Sequence, residues 1–124
     1  RGFMAELQMG EVESRFADMI WESEPVHSRE LVRQAEEKLD WKKSTTYTVL
    51  KRLCDKGIFE NNNCIVTSII KRDEFFAMQS EQFVQDTFAG SLPAFLAAFT
   101  KRRGKLSKAE VEELRRMVAE YEEE

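Results

Sequence analysis

Residues 41–70, WKKSTTYTVLKRLCDKGIFENNNCIVTSII, decide the fold. Thr46, Val49, Leu50 and Leu53 recur at helical spacing, so a helix that starts within residues 42–45 and runs to Lys56 carries them as its inner stripe. Gly57 then supplies the left-handed residue that ends such a helix. Two β-rich runs follow, Ile58-Phe59-Glu60 and residues 64–70, separated by Asn61-Asn62-Asn63. Asparagine tolerates positive φ, and the arrangement predicts a hairpin.

Upstream, Val12, Phe16, Met19 and Ile20 fall on one face of a helix over residues 10–22, with Glu13 placed to bond back to its start. Pro25 stops that helix, and Pro25-Val26-His27 reads as a short extended segment with Val26 inward. A second helix begins at Ser28 as N-cap, with Glu30 in its first turn. It aligns Leu31, Ala35 and Leu39 with Val32 beside them, and ends near Asp40. Three helices followed by a hairpin is the order of a winged helix-turn-helix.

Downstream the pattern is helical again from about Arg72 to Gly90. Ser91 opens a further helix with Pro93 in its first turn, and Lys101-Arg102-Arg103-Gly104 reads as a loop or frayed end. Ser107-Lys108-Ala109-Glu110 reads as a capping box that starts a last helix. Six of the nine phenylalanines lie between Phe75 and Phe99. About 50 residues rarely enclose that much apolar surface alone. A second copy of the segment is the simplest partner, with Phe75, Phe76, Phe83, Phe88, Phe95, Leu96, Phe99, Leu114 and Val118 as the dimerisation surface. The expected fold class is therefore mainly α with a small β-hairpin, a winged helix-turn-helix followed by a three-helix dimerisation domain. The expected division is an extension over residues 1–8, a DNA-binding domain over 9–71 and a dimerisation domain over 72–124. Arg1-Gly2-Phe3, ahead of Met4, read as a cloning remnant.

The 124 residues are 42% hydrophobic and 34% charged, with a net charge of −4. The charge is uneven. Residues 41–56 hold Lys42, Lys43, Lys51, Arg52 and Lys56 against the single acid Asp55, a local charge of +4. Screening over roughly 8–10 Å makes this local charge the one a phosphate senses. Lys43, Ser44, Thr45, Tyr47 and Thr48 lie outside the apolar stripe, in the first turns of the third helix. Such a helix fits the major groove, where short polar side chains reach base edges. Ser44, Thr45, Tyr47 and Thr48 are the candidate base contacts, and Lys42, Lys43, Lys51 and Arg52 the candidate phosphate contacts.

Other chemistries find little support. Cys54, Cys64 and the lone His27 form no zinc pattern, and no metal or cofactor is expected. His27 reads as a helix-initiating residue. No nucleophile–base pair or glycine-rich phosphate loop points to an enzyme. A redox role for Cys64 has no neighbouring cation in sequence to support it. No apolar run nears the roughly 20 residues that span a bilayer, and no secretory signal is visible, so a cytoplasmic location is expected. The competing function is a winged helix used as a protein-interaction module, suggested by the acidic net charge and the uncharged wing.

From Met9 onward the chain resembles the BlaI/MecI/CopY family of penicillinase-type repressors. The resemblance rests on Met9, Glu13, Ile20 and Trp21, on Pro25-Val26, and on Ser28-Arg29-Glu30-Leu31. It continues through Trp41, Thr45, Thr48, Leu50, Lys51-Arg52-Leu53 and Lys56-Gly57. It implies a homodimer that represses transcription at a palindromic operator, with base contacts from Thr45 and Thr48 and mainly phosphate contacts from Lys43, Lys51 and Arg52. It also implies, for members paired with a membrane sensor-protease, induction by cleavage at the position of Ala98–Phe99. Three features depart from the family. Lys42-Lys43 replace the usual Ser-Pro after the tryptophan. Asn61-Asn62-Asn63-Cys64 replace a basic and aromatic wing. The chain ends in Tyr121-Glu122-Glu123-Glu124, without the cysteines of copper-responsive members.

Overall fold

The computed structural model describes residues 8–123, so the extension expected over residues 1–8 falls almost wholly outside them. Among the described residues are six helices and three short strands. They are α1 (Glu11–Ser23), β1 (Val26–His27), α2 (Ser28–Leu39), α3 (Lys43–Asp55), β2 (Phe59–Asn62), β3 (Ile65–Ser68), α4 (Arg72–Phe88), α5 (Leu92–Arg103) and α6 (Lys108–Tyr121). The chain divides into two compact units, Arg1–Gln82 and Phe83–Glu124.

In the first unit the expected stripes close on one core. Phe16, Ile20, Leu31, Leu50, Leu53, Ile58, Phe59 and Val66 are at most 2% exposed. Each such side chain is stabilised by roughly 1.5–3 kcal/mol on leaving water. Ala17 and Ala35, also buried, keep the helix contacts close. Val12 departs from its expected face: it is half exposed, one turn ahead of the residues the core reaches.

The hairpin is part of a larger sheet. β1 pairs antiparallel with β3, giving the strand order β1-β3-β2, with Val26 opposite Val66 and His27 opposite Ile65. The extended segment after Pro25 is thus a strand, because β3 offers it an open edge. The turn is two residues long, between Asn62 and its partner Ile65. Asn63 and Cys64 both take positive φ, 53° and 70°. That backbone matches the right-handed strand twist. Asn61 and Asn62 belong to β2 rather than to the turn.

Helix ends follow the local chemistry with one displacement. Gly10 N–H donates to Glu13 Oε1 at 3.2 Å. Asp40, at φ 56°, ends α2, and Gly57, at φ 83°, follows α3. The cap of α2, however, is His27, whose Nδ1 accepts the Arg29 N–H at 3.1 Å. Ser28 is the first helical residue and is buried, because β1 runs directly into α2.

Trp21 ties α4 to this unit. Its Nε1–H donates to the Ile70 carbonyl at 3.0 Å. Its ring lies 5.2 Å from Phe59, 5.6 Å from Phe75 and 6.3 Å from Phe76, centroid to centroid. Phe75 is fully buried here, within its own chain. Around this cluster Arg72 pairs with Asp18 at 2.8 Å. Ser68 donates its N–H and hydroxyl to Glu24 at 2.7 and 2.8 Å, and Lys71 approaches the same carboxylate at 3.5 Å. Burial pushes the Glu24 carboxyl up, but the Ser68 hydrogen bonds and Lys71 together outweigh it and hold it below the ordinary carboxylate range.

The second unit lacks a closed interior. Gly90, at φ 80°, ends α4 with its N–H on the Val84 carbonyl at 3.0 Å. Ser91 and Ser107 cap α5 and α6 by accepting the Ala94 and Glu110 N–H groups, each at 3.1 Å. The expected capping box at Ser107 is only half formed, because the Glu110 carboxylate pairs with Arg103 instead. Lys101, Arg102 and Arg103 are helical, forming the last turn of α5, where the helix dipole favours cations. Phe83, Phe88, Phe95 and Phe99 stack edge-to-face or tilted at 5.8–6.1 Å. They line an open groove of about 420 Å³, and no described residue of α5 or α6 is buried.

Two outcomes test this packing. Phe75→Ala should destabilise the chain by about 3–5 kcal/mol, read from urea unfolding. Glu24→Gln should lower the urea midpoint at neutral pH. The native pKa lies below the unfolded one, so ionised Glu24 stabilises above the unfolded value, and the gap between variant and wild type should close as pH falls through the lowered native value.

Candidate nucleic-acid interface

The outward side of α3 follows from its inner one. With Thr46, Val49, Leu50 and Leu53 buried, the helical period leaves Ser44, Thr45, Thr48, Lys51 and Arg52 exposed along one stripe. The buried Thr46 turns its hydroxyl back to the Lys42 carbonyl at 3.3 Å. Ser44, Thr45 and Thr48 make no side-chain hydrogen bond among the described residues. Their hydroxyls remain available to donate or accept.

The start of the helix is open as well. Lys42 is the N-cap and supplies no side-chain bond to the first turn. Lys42 stands where the resemblance implies a serine cap, so the first N–H groups of α3 receive no side-chain bond from their N-cap. Both lysines are exposed and without an acidic partner among the described residues. Uncapped N–H groups flanked by cations suit a phosphate oxygen. The loop before them is held by Trp41, whose ring packs 5.1 Å from Phe16 and whose backbone N–H donates to the Ala35 carbonyl at 3.2 Å.

The other two cations are arranged differently. Lys51 pairs with Asp55 at 2.9 Å, with both side chains largely in water. Such a pair contributes little, so the ammonium can exchange Asp55 for another anion. Arg52 is oriented by Glu13 of α1 at 2.9 Å, and Lys56 lies 3.6 Å from the same carboxylate. Burial pushes Glu13 up, but the Arg52 hydrogen bond, the Gly10 N–H and Lys56 more than offset it, and the carboxyl sits below its usual range. Glu13 thus starts α1 and also aims Arg52. The sequence signals only the first role, because the second spans 39 residues.

Tyr47 is set apart from its neighbours. It is half-buried against the core, and its Oη lies 3.3 Å from Ser28 Oγ. The wing presents Asn61, Asn62, Asn63 and Cys64, all exposed, with no cation before Lys71. Cys54, on the flank of α3, is half-buried, and burial followed by the nearby Asp55 pushes its thiol up, away from reactivity. Among the described residues no group of side chains could hold a metal ion, and no helix is long and apolar enough to cross a membrane.

The candidate partner-facing residues fall into two sets. Phe75 is enclosed in the first unit and Phe76 is half-buried beside it. In the second unit, Phe83, Leu96, Phe99 and Val118 are exposed, the last at 69%, while Phe88, Phe95 and Leu114 are half-buried. Ala98 and Phe99 lie inside α5, on its exposed side.

Comparison with known proteins agrees with this architecture. Over 118 residues, 92% of this chain and 91% of the other, the sequence is 22% identical to the penicillinase repressor of Bacillus licheniformis. The family model for the penicillinase repressor matches residues 9–120, which takes in all six helices but the last residue of α6. With a winged helix ahead of a helical segment and that match across nearly its whole length, the chain belongs to the penicillinase repressor family.

Proposed function

We propose that the chain is a homodimeric repressor that binds a palindromic operator through α3. The observation that carries this reading is the exposed stripe of unpartnered hydroxyls, Ser44, Thr45 and Thr48, bordered by Lys42 and Lys43 at one end and Lys51 and Arg52 at the other. The hydroxyls meet base edges, and the threonine methyls suit thymine. The cations and the open N-terminus of α3 meet phosphates. Two copies related by a two-fold axis would read half-sites one helical turn apart, about 34–36 Å, or a multiple of it.

The unclosed second unit supports the dimer. Its aromatic groove and the exposed face of α6 leave large apolar groups in water, and an isologous partner would cover them. Phe75, enclosed within its own chain, is no part of that surface. A membrane sensor-protease cutting at Ala98–Phe99 would sever α5 between Phe95 and Arg103 and so open the aromatic groove. Because the bond lies within a helix, cleavage requires α5 to unwind locally. The net charge of −4 and the uncharged turn of the wing favour a second reading, a protein-interaction module, which differs in its response to salt.

Binding to the promoter of the chain's own gene separates the two. Operator affinity should fall steeply with salt, and Lys42→Ala/Lys43→Ala should lower the log–log slope by roughly two. Thr45→Ala/Thr48→Ala should lose sequence preference while retaining non-specific binding. Affinity indifferent to salt and to these substitutions would favour the interaction module. Sedimentation should give a dimer for wild type and a monomer for Phe83→Asp/Val118→Asp, with the winged helix still folded. A wild-type monomer at micromolar concentration would overturn the dimer.

A further inference from the structure

Ser28 holds two elements at once. Its side chain meets Tyr47 of α3 at 3.3 Å, and its N–H donates to the Cys64 carbonyl at 2.8 Å. Cys64 is the second residue of the wing turn. Ser28 itself is 1% exposed. A single buried serine therefore links the recognition helix to the far end of the wing. The other bonds between α3 and the hairpin lie at its base, where the Ile58 N–H reaches the Leu53 carbonyl at 3.2 Å.

We infer that Tyr47 is a positioning residue: through Ser28 it fixes the wing turn relative to α3, and it does not read a base. The inference rests on the operator-binding reading and assigns this tyrosine a different role within it. The composition of the wing makes the link matter. A lysine or arginine attracts phosphate through a field that falls off slowly, so a cationic wing tolerates displacement. The wing here offers the amides of Asn61 and Asn62 at the end of β2 and of Asn63 in the turn, whose hydrogen bonds weaken steeply outside about 2.7–3.2 Å and away from linearity. Such a wing contributes to DNA recognition only if its distance from the recognition helix is fixed. Removing the Tyr47 hydroxyl leaves the enclosed Ser28 hydroxyl without its partner and loosens the tie between α3 and the turn, which then rests on the Ser28 N–H and the β1–β3 pairing alone.

The test uses the full chain with Tyr47→Phe, Ser28→Ala and the double variant, on DNA from the chain's own promoter. Tyr47→Phe keeps the ring and its packing. Each single change should weaken operator binding by about tenfold, and the double variant should be no weaker than either. Hydroxyl-radical protection should vanish on the flank beneath the wing and persist where α3 lies, and the ranking of operators altered at single base pairs should stay unchanged. Additive effects, or an altered preference at one base pair in Tyr47→Phe, would overturn the inference and return Tyr47 to base reading. Amide exchange without DNA provides an independent arm. Ser28 and the β3 amides should exchange faster in Tyr47→Phe while α6 is unaffected. Unchanged exchange at Ser28 overturns the link, whereas failure of wild type to bind any promoter fragment overturns the operator reading and leaves the exchange result to decide the link.

Discussion

The indole of Trp21 is the contact on which the first unit depends. Its ring lies against Phe59 of the sheet and Phe75 of α4, and its N–H satisfies the Ile70 carbonyl at the end of the hairpin. One side chain on α1 therefore fixes the base of the wing and the start of the helix that leads onward. Without a partner, a carbonyl at that junction would carry a desolvation cost, and the aromatic rings would lose tilted contacts worth about 0.5–1.5 kcal/mol each. Asp18 and Glu24, on and just after the same helix, add the pairs to Arg72, Ser68 and Lys71 that hold this junction from outside.

From that anchored scaffold the interface inherits its geometry. The inner stripe of α3 is held by the core, so the helical period presents the outer stripe to solvent. The cations on it fall into two kinds. Lys42 and Lys43, at the helix start, have no acidic partner among the described residues, while Arg52 is aimed by a carboxylate from another helix. A phosphate at Arg52 would meet a guanidinium already ordered, which reduces the side-chain entropy lost on contact. With no cation in the wing before Lys71, a phosphate would find its positive charge on α3 and at its N-terminus.

The two units follow opposite rules. The first encloses its large apolar residues within one chain. The second caps its helices correctly, with Ser91, Gly90 and Ser107 each satisfying backbone groups, yet buries no described residue of α5 or α6. Phe83, Phe88, Phe95 and Phe99 of this unit line an open groove, whereas Phe75 and Phe76 pack into the first unit around Trp21.

Whatever acts over one or two turns of chain can be read from the residues alone. The stripes of α1, α2 and α3, the stop at Gly57, the hairpin signal at the asparagines and the serine caps of α5 and α6 were all legible, because helix periodicity and backbone hydrogen bonding depend on neighbours only a few residues away. The exposed hydroxyl stripe of α3 was legible for the same reason. Tertiary structure decided the rest. It made Pro25-Val26-His27 a third strand by offering it the edge of β3, moved the cap of α2 from Ser28 to His27, and drew Glu110 from its capping box to Arg103. It also placed Phe75 inside the first unit while Phe83 and Phe99 stayed exposed, though all three read alike in the chain. Glu13 reached Arg52, and Tyr47 reached Ser28, across 39 and 19 residues. Such pairings depend on where folded elements meet, and the chain's local pattern carries no record of which distant partner a polar side chain will find.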